Sequence, residues 1–136
     1  MSTVSSSVRW SLCAAHTAAI AVLSLAPMDA FPQTGLAVPF ADKAVHFALY
    51  GVYATLLVWA LPWRGRRAAR LAGIALFCAA YGLAMEGLQG AMHRHLARSF
   101  YMADAAANAA GAAAAALLGL VNLRRRPAHG NGGRHG

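Results

Sequence analysis

Residues 71–90 read LAGIALFCAAYGLAMEGLQG. Twenty residues carrying one charged side chain, Glu86, form a helix long enough to cross the ~30 Å hydrocarbon core of a bilayer at about 1.5 Å per residue. An acid inside such a span costs about 2.5 kcal/mol or more, and the nearby helix C-terminus disfavours negative charge, so Glu86 marks a functional position. Outward from this stretch lie three more apolar runs, at residues 8–26, 43–61 and 105–123. Pro27, Pro32 and Pro39 punctuate the first connection and Pro62 with Gly65 the second, and both residue types stop helices or make turns. The fourth run repeats small residues every four positions, at Ala107, Gly111, Ala115 and Gly119, a stripe that lets a neighbouring helix approach closely. The expected fold is all-α, a four-transmembrane-helix bundle over residues 1–123, followed by a basic, Gly-rich, disordered cytoplasmic tail over 124–136.

Composition agrees with that reading. Of 136 residues 59% are hydrophobic and 12% charged, against about 25% charged in soluble domains, so most of the surface is expected to meet lipid. The formal charge of +8 sits in short clusters between apolar runs, which is a topology signal and not a nucleic-acid-binding face. Nine of the twelve basic residues fall on one side: Arg9, Arg64, Arg66, Arg67, Arg70, Arg124, Arg125, Arg126 and Arg134. Lys43, Arg94 and Arg98 fall on the other, and the positive-inside rule then puts both termini in the cytoplasm. Trp59 and Trp63 fit an interfacial belt at the inner end of the second span. A cleaved signal peptide ending near Met28-Asp29-Ala30 is the alternative for the first run, whose apolar core exceeds the roughly 7 to 15 residues usual for such leaders.

With that orientation the second and fourth spans begin at the outer surface and the third ends there. Glu86 lies sixteen residues beyond Arg70, or ~24 Å up the span. His46 follows Asp42 by four residues and Asn108 follows Asp104 by four, so each pair shares a helix face. Asp42, Lys43, His46, Glu86, Gln89, Asp104 and Asn108 are therefore expected at one outer-leaflet level. N-capping explains Asp42 and Asp104 equally well, and inter-helix hydrogen bonding is the competing explanation for His46 and Asn108. His16, alone in the first run, reads as a packing residue. Cys13 and Cys78 read as small buried apolar residues, with no disulfide framework. His93 and His95 lack a matching third ligand, so no metal and no cofactor are expected.

Asp42-Lys43-Ala-Val-His46-Phe47 with Tyr50, then Glu86-Gly-Leu-Gln89, then Arg98-Ser99 followed by Asp104, Asn108 and Gly111, resembles the VanZ-like family of small bacterial membrane proteins. Leu23-Ser24-Leu25-Ala26-Pro27 is also similar, and the likeness spans residues 22–120. The segment 89–98 is longer than the family's usual turn and lacks its Pro-Gly, which leaves Arg94 as the alternative to Arg98 for the family arginine. The family is named for a protein associated with low-level teicoplanin resistance. What the resemblance implies is a multi-pass protein of the bacterial cytoplasmic membrane working on the cell envelope.

Two mechanisms fit these residues. In one, Glu86 and His46 act as acid and base with Asp104, Asn108 and Gln89 orienting substrate or base, Ser99 is a possible nucleophile, and Lys43 and Arg98 hold an anionic lipid or glycopolymer head group. In the other, the same residues with Asp42 bind that head group without chemistry, and a third reading has the polar residues only cap and join the helices, or makes the chain a subunit of a larger membrane complex.

Overall fold

A computed structural model describes residues 4–30, 40–61, 66–96 and 99–125. Four long helices form it: α1 (Ser6–Leu25), α2 (Ala41–Ala60), α3 (Arg67–Ala91) and α5 (Met102–Arg125), with a four-residue α4 (His93–Leu96) between the last two. The four long ones contain spans of sufficient length and apolarity to cross a membrane. Local chemistry sets their ends. The Ser5 hydroxyl accepts from the Val8 N–H at the start of α1, and α1 stops short of Pro27. Phe40, at φ 61°, holds a left-handed conformation before α2, and α2 ends at Ala60, with Leu61, the residue preceding Pro62, as its extended C-cap. The 93–96 turn is an addition to the expected four helices; four residues give no apolar period to detect.

Packing follows the small-residue stripe. α5 lies mainly against α2 and α3, and α1 leans on α2 and α3. A Cβ placed on Gly111 would collide with the Phe47 carbonyl oxygen, and one on Gly51 would stand 3.4 Å from the Gly111 carbonyl oxygen. At this level α2 and α5 meet backbone to backbone, which only glycine permits. Gly119, two turns further on, accommodates Leu71 and Val58.

The core is small: Cys13 and Ile20 from α1, Tyr50, Tyr53, Ala54 and Leu57 from α2, Ile74, Cys78 and Met85 from α3, Ala112 from α5. Large apolar side chains such as Val22, Leu76, Phe77, Leu83, Leu117 and Leu118 face outward instead. An outside this apolar is what a lipid-facing bundle presents, because lipid tails compete with neighbouring helices for the same contacts. Polar cross-links join the helices. The His16 ring donates from Nε2 to the Leu49 carbonyl at 3.0 Å, as a packing histidine would. Thr17 is hydrogen-bonded to Tyr53 Oη at 2.8 Å, and Tyr81 Oη donates to the Thr17 carbonyl at 3.1 Å. Such bonds contribute about 0.6 kcal/mol each on average in membrane bundles. Both cysteines are buried and free.

Candidate functional site

The start of α2, the end of α3 and the start of α5 converge at one end of the bundle, because α3 runs antiparallel to the other two. Four of the expected polar residues meet there. The His46 ring lies with Nδ1 3.0 Å from Asn108 Oδ1 and 3.8 Å from Glu86 Oε1, and with Nε2 4.0 Å from Asp104 Oδ2. Glu86 and Asn108 are each 1% exposed and Asp104 6%. His46, partly buried, is the member with access to the outside.

Each of these side chains is fixed by a second contact. Asn108 Oδ1 accepts from His46 Nδ1, and Nε2 faces Asp104 Oδ2. Lys43 bridges the two aspartates, with Nζ 2.6 Å from Asp104 Oδ1 and 2.5 Å from Asp42 Oδ2, and stands over the Tyr101 ring at 5.8 Å. The Tyr101 backbone N–H donates to Glu86 Oε2 at 3.4 Å. Beneath the ring, Gly82 makes room for Asn108 and Tyr50: a Cβ there would fall 2.9 Å from Asn108 Cβ and 3.1 Å from Tyr50 Cε1. Asn108 Nδ2 and Tyr50 Oη are buried and have no hydrogen-bond partner among the described residues, which leaves two donors available to an acceptor.

The remaining expected residues lie elsewhere. Gln89 is buried but donates from Nε2 to the Ser24 carbonyl at 2.8 Å, so it ties α3 to α1 and stands outside the His46 cluster. Asp42 does not cap α2, whose N-cap is Phe40 without a side-chain bond; it is exposed and reaches the cluster only through Lys43. Ser99 is exposed. Arg98 lies outside the described residues, as do Trp63, Arg64 and the tail from 126 onward. Arg94 is exposed on α4. Tyr101 was missed by sequence reasoning, and no signal in the chain would have found it, since its contribution to Glu86 is a backbone N–H.

No family model, curated protein or solved structure matches the chain. The geometry of the cluster therefore stands by itself. A separate apolar groove of about 350 Å³ lies between α2 and α5, lined by Phe47, Gly51, Val52, Thr55, Ala115 and Leu118. An imidazole held between two carboxylates, beside an ammonium and two buried donors, provides acid and base capacity together with polar recognition.

Proposed function

We propose that this chain is a multi-pass protein of a bacterial cytoplasmic membrane that acts on or binds the polar head of an anionic envelope lipid or lipid-linked glycopolymer at the outer face. The observation that carries the reading is the convergence of buried Glu86, Asp104 and Asn108 with partly buried His46, from three helices at one end of an otherwise apolar bundle. Buried ionisable groups in membrane spans are functional by default. The distribution of basic residues supports cytoplasmic termini and an outward-facing site.

In the catalytic form of this reading Glu86 and His46 exchange the proton and Asp104 orients the ring, while Lys43, fixed between Asp42 and Asp104, and the donors Asn108 Nδ2 and Tyr50 Oη hold head-group oxygens. The resemblance to the VanZ-like family supports an envelope substrate and puts teicoplanin susceptibility among the phenotypes to measure. Capture without chemistry, or service as a subunit of a membrane complex, is the second reading. The Gln89 to Ser24 and His16 to Leu49 bonds favour it, because they show that polar residues in this bundle also act as packing cross-links.

Native mass spectrometry of protein released from mild detergent tests the reading. An anionic lipid enriched over its bulk abundance on wild type, kept by Glu86→Gln and reduced several-fold by Lys43→Gln, is the expected result. Lipid content equal to bulk in all three proteins contradicts it.

A further inference from the structure

The sequence offers no metal site, because His93 and His95 lack a third ligand; both lie exposed on α4. The fold assembles a different set. His46, Glu86 and Asp104 each offer one ligand atom, and these atoms all lie within 4.8 Å of one another. We infer that His46, Glu86 and Asp104 bind one divalent first-row metal ion, of the zinc or manganese kind.

The donor chemistry suits such an ion. One imidazole and two carboxylates, without thiolate, are the ligands favoured by zinc and manganese, and two carboxylates balance a 2+ charge. Ligand atoms about 2.0–2.2 Å from a tetrahedral zinc ion stand roughly 3.3–3.6 Å apart, so separations of up to 4.8 Å here close by about 1.2–1.5 Å to enclose the ion. The supporting contacts are those of a metal site. His46 Nδ1 donates to Asn108 Oδ1, which orients the ring with Nε2 toward Asp104 Oδ2, and Asp104 Oδ1 is held by Lys43. Glu86 Oε2 accepts from the Tyr101 N–H. His46 is the ligand with access from outside, which leaves a coordination position on that side for an oxygen of the substrate. This inference deepens the proposed function and rests on it: the ion, held by these three side chains, would polarise an oxygen of the head group, while Lys43, Asn108 Nδ2 and Tyr50 Oη hold the head with or without the ion.

The test is metal titration of the full chain in detergent with zinc and with manganese ions, followed by desalting and elemental analysis, without added lipid. The expected result is one ion per chain on wild type, bound at least tenfold more weakly by His46→Gln, Glu86→Gln and Asp104→Asn, and unchanged in a His93→Ala, His95→Ala double variant. Wild type that retains no ion, or binding that is abolished in the double variant, overturns the site. A second measurement needs no variant at His46: bound zinc should protect His46 several-fold from carbethoxylation while His93 and His95 react normally, and equal modification of His46 with and without the ion overturns the site as well. Because both readouts exclude lipid, their failure leaves the head-group reading standing, and failure of the lipid experiments leaves these intact.

Discussion

His46 Nδ1 and Asn108 Oδ1 lie 3.0 Å apart across the α2/α5 interface, joining residues sixty-two positions apart in the chain. The bond depends on the helices meeting backbone to backbone at Gly111, one turn below Asn108. It aligns the imidazole with Glu86 and Asp104, so the same contact serves packing and the site.

Asn108→Ala removes that bond. Interhelical hydrogen bonds in membranes contribute about 0.6 kcal/mol on average and up to about 1.7, so a modest drop in the detergent unfolding midpoint is expected. A larger loss of head-group binding should accompany it, since the ring is released and Nδ2 is lost as a donor. Thermal unfolding and lipid capture measured on one preparation check both effects.

Gly111→Leu should be more damaging than any polar substitution. Its Cβ alone collides with the Phe47 carbonyl, a backbone atom that cannot rotate away, so α2 and α5 must separate. Overpacking of this kind costs about 1–3 kcal/mol. The expected outcome is a lowered unfolding midpoint and loss of a disulfide cross-link engineered across α2 and α5. The same change at Gly73, where an added Cβ meets nothing within 4 Å, should leave both unaltered.

Lys43 separates a structural ion pair from a solvated one. Asp104 is buried and Asp42 largely exposed, so screening acts mainly on the second pair. Double-mutant cycles in low and high salt should find the larger coupling for Lys43 with Asp104. They should also show that only the Lys43 to Asp42 coupling is removed by salt.

Orientation is tested by single cysteines placed in a background lacking Cys13 and Cys78. Cysteine at exposed position 99 should react with a membrane-impermeant maleimide in intact cells. Cysteine at exposed position 66 should react only after permeabilisation.

The four spans were legible in the sequence because each is a long apolar run, and the structure extends them by only a few residues. Arg67 to Arg70 join α3 because its first turn carries helix-compatible side chains that remain exposed or partly exposed. The depth of His46, Glu86, Asp104 and Asn108 was legible from helical rise, which is independent of neighbours. Which helix each side chain faces was not. Gln89 lies one turn beyond Glu86 along α3, yet it turns to Ser24 on α1, because azimuth is decided by packing partners that a single helix does not specify. Asp42, at the level of Lys43, faces outward for the same reason.

The proposal that the His46–Glu86–Asp104 cluster acts on an envelope lipid, as distinct from only binding one, turns on Glu86. Its most direct test is mass spectrometry of a bacterial envelope-lipid extract incubated with purified wild type and with Glu86→Gln, which keeps the side-chain shape but not the carboxylate. A lipid species consumed by wild type and untouched by Glu86→Gln is the predicted result. Identical lipid profiles with both proteins, or equal consumption by both, would contradict the catalytic role of Glu86.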